Sequence, residues 1–325
     1  MSRVLVVDLM NQLFNIFHVN EKNIALRFAT DINKLLQETC ATKVILATDF
    51  GKSTYRLKLH PGYKQDREKR RREQTAEDKR KLEKFYKDAQ NFQDNVARMF
   101  GFESIKHYGI EADDVCAFLV NHTDLENNQI MQVTTDKDWS QLLRKNVVQR
   151  SMYFKTKVNG NELPAKVWLN RKRFVDCYGI EPYQLADVKA LAGDVSDSIY
   201  SVDGLGDKTA LNLVKQYGSI SEVEKNLDSI HSDVARVPKK AVENLKSNFE
   251  QVYFNYKLVN LNYTEEVKNE IFSKDVQENL NSVIGNFSVR NSVDRDAIYD
   301  WLFEQGQVNL LGKFDSWIKP FEGEF

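Results

Sequence analysis

Cysteine is scarce in this chain: three in 325 residues, Cys40, Cys116 and Cys177, odd in number and widely spaced. That argues against a disulfide framework and against zinc-knuckle spacing, so buried or inert thiols are expected. Proline (5) and glycine (14) are too few for a fibrous or low-complexity chain. With 42% hydrophobic and 29% charged residues, an ordinary globular fold of roughly two domains is expected. No run of about 18 apolar residues occurs, so no membrane-crossing helix is expected. Asp8 interrupts the apolar stretch of MSRVLVVDLMNQ, so no secretory leader is expected either. These absences point to the cytoplasm as the place of action.

An overall charge of either sign is missing too, but the net −1 hides a split. Residues 52–87 hold 14 Lys and Arg against 6 Asp and Glu, a local +8 that leaves −9 for the rest. This describes a polyanion-binding segment beside a carboxylate-rich region.

Three runs are largely apolar or β-branched and each reaches an aspartate: RVLVVD (3–8), KVILATD (43–49) and IMQVTTDKD (130–138). Strands buried on both faces of a parallel sheet show this pattern. Between the first two, Ile24, Phe28, Ile32, Leu35 and Leu36 fall at helical spacing and complete a β-α-β unit. Residues 1–165 therefore read as an α/β domain with a mainly parallel central sheet. In such sheets the site lies beyond the carboxyl ends of the strands, where Asp8, Asp49 and Asp136 would point. Residues 166–290 read as a small helical domain, from stretches such as PYQLADVKALAGD and KTALNLVKQYG. To residues 291–325, a tail with Trp301 and Trp317, pattern alone assigns no role.

GIEADDVCAFL sets Glu111, Asp113 and Asp114 at the start of a helix. At 100° per residue Ala112, Val115, Cys116 and Leu119 form the face that packs on the sheet; Asp113 and Asp114 point away, with Glu111 at the margin. Locally, such acids complement a positive helix end by about 0.3–1 kcal/mol each, and strand-terminal aspartates are ordinary turn residues. The set is larger, however, because Asp138 and the pair Asp194 and Asp197 in AGDVSD join it. Clustered carboxylates raise one another's pKa unless cations neutralise them. Hard divalent ions, Mg²⁺ or Mn²⁺, suit such oxygen ligands far better than zinc does.

Taken in order, VVDLMNQLF, ATDFG, GIEADDVCAFL, TTDKDWSQLL and LAGDVSDSIYSVDGLGDKTALNLV resemble the flap endonuclease (5′ nuclease) family from residue 4 to about residue 260. That family includes the 5′ nuclease domain of bacterial DNA polymerase I and the phage 5′ exonucleases, some of them called ribonuclease H; stand-alone size resembles a phage member most. The resemblance implies a metal-dependent hydrolase of branched DNA, acting near 5′ ends of flaps, nicks, gaps and RNA primers during replication. Two metal ions are implied. Glu111, Asp113, Asp114 and Asp136 would surround one, Asp138, Asp194 and Asp197 would gather toward the second, and Asp8 and Asp49 would complete the pocket. Two alternatives compete. A DNA-binding module on the same fold that has lost catalysis would have lost acids, and all nine positions carry one here. A PIN-type ribonuclease would lack the hairpin described next.

YRLKLHPGYKQDREKRRREQ interleaves Tyr55 and Tyr63 with Arg56, Lys58, Lys64, Arg67 and the run Lys69 to Arg72. Basic residues neutralise phosphates, and aromatics can stack on unpaired bases. For the later AEDKRKLEK, a solvated helix with paired charges is the simpler reading. By resemblance, residues of about 52–90 form a helical arch for a single-stranded 5′ end. Lys64 would then contact the scissile phosphate, Arg67 would steady the developing charge, and Arg56 and Tyr63 would meet the DNA. In SVDGLGDKTALNLV, Gly204 and Gly206 separate two helical patterns, and Lys208 and Thr209 open the second. This is either a plain helix-helix turn or a helix-hairpin-helix whose backbone N–H groups grip a duplex phosphate. The resemblance adds K⁺ bridging hairpin carbonyls to DNA. The implied partners are branched or nicked duplex DNA and RNA–DNA hybrid, with a replication clamp or single-strand-binding protein as candidates for the tail. A monomer away from membranes is expected.

Overall fold

A computed structural model describes the chain apart from residues 20, 151–155, 159–160, 164–165 and 235–236. Five parallel strands, β1 (Ser2–Asp8), β2 (Lys43–Ala47), β3 (Glu103–Ile105), β4 (Asn128–Val133) and β5 (Val147–Arg150), lie in the order β3-β2-β1-β4-β5. The order reverses between β1 and β4, the switch point at which open α/β sheets place their sites. Both faces of the sheet are covered, which is why the strands read as continuous apolar runs. Leu5 and Val7 of β1, with Val44 and Leu46 of β2, enter one core; Val4, Val6, Ile45 and Ala47 enter the other.

The first core is covered by α1 (Leu9–Val19) and α2 (Ile24–Thr39). Between β2 and β3 come α3 (Thr54–Leu59), α4 (Gln65–Glu73) and α5 (Ala76–Asn91). Of these, α4 buries no residue at all, as a sequence charged at every position after Gln65 requires. The second core is covered by α6 (Ala112–His122), which buries Val115, Cys116 and Leu119.

Seven helices follow: α7 (Arg171–Tyr178), α8 (Leu185–Ala192), α9 (Asp207–Tyr217), α10 (Ile220–Lys225), α11 (Ile230–Asp233), α12 (Lys239–Ser247) and α13 (Phe249–Val259). They enclose a separate core around Phe174, Leu191, Leu213 and Val252. The sequence-based boundary at residue 165 lies outside the described residues.

Next, α14 (Glu265–Ile271) and α15 (Lys274–Gly285) return to the α/β unit, where Ile271, Phe272, Leu280 and Val283 pack with α6 in the second core. The tail forms α16 (Arg295–Glu304), α17 (Val308–Leu311) and α18 (Phe314–Glu322). Ile298, Leu302, Phe314, Ile318 and Phe321 complete the first core, and Asn33 Nδ2 donates to the Trp317 carbonyl at 2.6 Å. The tail is therefore structural on its inner face. Among the cysteines Cys116 is buried, whereas Cys40, which ends α2 at φ 50°, is exposed. No described helix is long and apolar enough to cross a membrane.

Candidate metal centre and nucleic-acid interface

Asp8 is the last residue of β1, and Asp49 and Asp136 sit in the turns just beyond β2 and β4. The two threonines of VTTD tie these ends together. Thr134 Oγ1 donates to Asp8 Oδ2 at 3.0 Å and accepts from the Asp136 amide at 3.0 Å, while the Thr135 amide donates to Asn11 Oδ1. Burial, then the charges of Asp49 and Asp136, push the Asp8 carboxyl up to about 8. Desolvation and then Glu111 raise Asp49 as well, although its side chain keeps contact with water, which tempers the first cause.

Glu111 precedes α6, and Asp114 Oδ2 accepts from the Glu111 amide at 3.3 Å, so the capping expected from sequence is present. It is a small part of the arrangement. Glu111 is buried, and its carboxylate accepts from Lys64 Nζ at 2.7 Å, Tyr63 OH at 2.9 Å and Arg56 Nη1 at 3.3 Å. Burial opposes its charge, but Lys64 and Arg56 prevail and hold the carboxyl below its usual range. Asp114 is fully buried, in a bidentate pair with Arg56 at 2.8 and 2.9 Å, and it also accepts from Tyr263 OH. Pointing away from the sheet thus does not mean pointing to solvent, because α3 and the Tyr263 segment cover that flank. Asp113 is less committed: Arg56 Nη2 stands at 3.7 Å, and burial pushes the carboxyl well above the usual range against that pull. One oxygen each of Glu111, Asp113 and Asp114 lies within 4.8 Å of the others.

Across the pocket, Lys189 of α8 bridges Asp138 and Asp194, donating to both carboxylates. Burial and the nearby Asp136 carry the Asp138 carboxyl up to about 6 despite Lys189. Asp194 stays below its usual range, where burial is outweighed by Lys189 and by hydrogen bonds from Ser196. Asp197 pairs with Arg67 Nη2 at 2.6 Å and accepts from Tyr63 OH at 3.1 Å, so Tyr63 joins it to Glu111. The Lys64 amide donates to the Asp197 carbonyl at 2.9 Å, which fixes Lys64 at its left-handed φ of 58° where α4 begins. The nine acids proposed from sequence thus lie on five chain segments linked by these contacts and by the mutual charge effects of Asp8, Asp49 and Asp136, while Glu111, Asp113 and Asp114 are, among the described residues, the group whose oxygens come within 4.8 Å of one another.

Two basic-segment expectations fail. Arg56 was expected on a phosphate, yet it is 3% exposed, with Nε donating to the Leu258 carbonyl and the rest of its fork on Asp114 and Glu111. Tyr55 and Tyr63, expected to offer stacking faces, are 6% and 2% exposed. Their apolar bodies are needed for packing and the Tyr63 hydroxyl for two carboxylates. Lys189 and Tyr263 were missed. The only sequence signal for Lys189 is a lone cation in LADVKALA, whose other charged residue is Asp187.

The connection from α8 to α9 carries both Asp194 and Asp197 and then the hairpin. There Gly204 has φ 91° and its α-carbon faces Ala241, whose Cβ an added Cβ would meet at 3.1 Å. Gly206 caps α9 with open space around it, and Lys208 is exposed.

Sheet order, acidic pocket and hairpin domain together define a nuclease-like class of fold, and the comparisons carry this to a family. The model of the 5′-3′ exonuclease N-terminal resolvase-like domain matches residues 3–171, and that of the 5′-3′ exonuclease C-terminal SAM fold matches residues 180–280. The chain belongs to the 5′-3′ exonuclease family. It is 27% identical over 259 residues to the flap endonuclease of Escherichia phage T5, covering 79% of this chain and 83% of that protein. It is 30% identical over 224 residues to the thermostable DNA polymerase I of Thermus caldophilus, which is 69% of this chain and 24% of the polymerase. The chain thus spans about a quarter of that polymerase. In fold it matches the T5 flap endonuclease solved as a pseudo-enzyme-product complex with DNA and metal ions, with TM-score 0.74, 23% identity, and 88% and 99% of the two chains covered.

Proposed function

We propose that this chain is a divalent-metal-dependent, structure-specific 5′ nuclease that hydrolyses phosphodiester bonds near the 5′ ends of flaps, nicks, gaps and RNA primers. The observation that carries the reading is the acidic network at the switch point of the sheet, in which Glu111, Asp113 and Asp114 bring oxygens within 4.8 Å of one another and Lys64 and Arg67 pair with Glu111 and Asp197. The donors fit hard ions. They are oxygens throughout, and burial raises the Asp8, Asp113 and Asp138 carboxyls despite their neighbouring donors, so added positive charge would favour their ionised forms. Asp8, Asp49, Glu111, Asp113 and Asp136 would hold one Mg²⁺ or Mn²⁺, and Asp138, Asp194 and Asp197 the second. Asp114 belongs with Glu111 and Asp113 to the group whose oxygens lie within 4.8 Å of one another, and it also positions the buried Arg56. Bound ions would supply an activated water and a stabilised leaving oxygen.

The protein's own groups do the rest. Lys64 and Arg67 rest on Glu111 and Asp197, and an incoming phosphate offers both a further anionic partner as charge develops. Exposed α4, with Lys69, Arg70, Arg71 and Arg72, lines the path of the 5′ strand electrostatically. The hairpin from Gly204 through Gly206 to Lys208 and Thr209 grips a duplex phosphate through backbone N–H groups, with K⁺ at its carbonyls, and reads position rather than sequence. Since one connection carries Asp194, Asp197 and the hairpin, the duplex grip and the acidic pocket keep a set spacing. Cleavage of 5′-labelled flap, nicked and RNA-primed duplexes in Mg²⁺, with none in Ca²⁺, tests the reading. Intact substrates in Mg²⁺ would overturn it.

A further inference from the structure

The aromatics expected to stack on bases are buried, but two others are not. Phe50 is 44% exposed and Tyr108 75%, and their rings meet edge to face at 5.7 Å between centroids and 85° between planes. Phe50 adjoins Asp49 and Tyr108 lies three residues before Glu111, so the pair rides on the same two chain segments that carry those acids. It is held rigidly. The Gly109 amide donates to the Phe50 carbonyl at 2.7 Å, the Phe50 amide pairs back to Ile110, and the Gly109 carbonyl receives the Thr54 amide at 2.9 Å. Gly51, at φ 82°, leaves room for the Tyr108 ring, which an added Cβ would meet at 3.2 Å.

We infer that Phe50 and Tyr108 form a stacking corner for an unpaired base of the strand that enters the pocket, an inference that rests on the nuclease reading above. A right-angled pair offers one ring face to a planar base and the second ring to its edge. Two large aromatics kept in water on a braced turn are costly unless something covers them. The charge beside them selects a nucleic acid over an apolar protein surface. Lys106 Nζ lies 5.0 Å from the Phe50 centroid and 3.4 Å from Asp94 Oδ1, a solvent-reached pair whose cation an anionic backbone can share while the rings take the base. Because the corner flanks Asp49 and Glu111, a base seated there sets which phosphate reaches the acids.

The test uses the full chain and a duplex with a 5′ single-stranded tail carrying 2-aminopurine at the unpaired nucleotide next to the junction, in Ca²⁺. Binding should quench the fluorescence in the wild type and in Tyr108→Phe. Phe50→Ala and Tyr108→Ala should lose the quench and bind the tailed duplex about tenfold more weakly, with binding of a blunt duplex unchanged. Gly51→Ala, which pushes on Tyr108, should reduce the quench. An equal quench in wild type and Tyr108→Ala, or equal losses on tailed and blunt duplexes, would overturn the inference. Failure of the nuclease reading is separate: the wild type would leave the tailed duplex uncut in Mg²⁺, whatever the fluorescence shows.

Discussion

The acidic pocket and the hairpin share one connection, the one that carries Asp194 and Asp197, yet are built by opposite means. In the pocket, acids from five segments are drawn together and five of them are held by internal cations: Arg56 on Asp114 and Glu111, Lys64 on Glu111, Lys189 on Asp138 and Asp194, and Arg67 on Asp197. The hairpin is local, exposed and made of backbone, and its main requirement is glycine where the chain turns at φ 91°. Charge that is buried must be compensated at each point, so the pocket is sensitive to single substitutions. Backbone donors at a helix start are already in place and should tolerate more.

The sharpest way to break this contrast is at the acids. Asp113→Ala or Asp136→Ala should lower single-turnover cleavage by about 100- to 1,000-fold or more, while flap binding in Ca²⁺ stays largely intact; wild-type rates would refute the metal-site assignment. Arg56→Ala leaves the buried Asp114 without its only cation among the described residues and Glu111 with Lys64 alone, and should cost about 3–5 kcal/mol in urea unfolding. A loss under about 1 kcal/mol would mean that the pair is not structural. Lys64→Ala should slow single-turnover cleavage by about 100-fold, more than it weakens binding, and an effect on affinity alone would contradict its placement.

Smaller effects separate the two regions further. With EDTA present, the raised Asp8 (about 8, from 3.8) and Asp138 (about 6) stabilise the fold in their protonated forms at low pH. That contribution is lost as pH rises through 6 and then 8, so the melting temperature should fall over this window, and Mg²⁺ should restore more at pH 8 than at pH 6. A Mg²⁺ effect independent of pH would argue against these carboxyls as the site. Lys208→Ala at the hairpin should be mildest, weakening duplex binding and reducing its salt slope by about 1 in a filter-binding series; an unchanged slope would remove Lys208 from the phosphate contact.

Much of this was readable in the sequence. Apolar runs ending in Asp8, Asp49 and Asp136 identify central strands, because only a two-sided sheet interior makes such runs necessary. The helical spacing of Ile24, Phe28 and Ile32 gives the crossover between β1 and β2. Arg56 and Tyr63 were misread for one reason: a basic, aromatic stretch looks like a nucleic-acid surface whichever way its side chains turn. Arg56 and Arg67 stand eleven residues apart in the same segment, yet one is 3% exposed and the other has a side chain 44% exposed. Lys189 escaped because a single lysine on an apolar helix gives no pattern until its partners, 51 and 5 residues away, are beside it.

Residue order alone determined three central strands and the crossover helix, and it supplied the carboxylates and the hairpin glycines as candidates, since these depend on local periodicity and on chemistry a residue carries wherever it lies. Which cation neutralises which acid, which acids remain open to an ion, and which aromatics face water were decided only on folding. Each of those depends on the distance and burial between segments far apart in the chain, and at low dielectric a few ångströms separate a buried structural ion pair from a group free to meet a substrate.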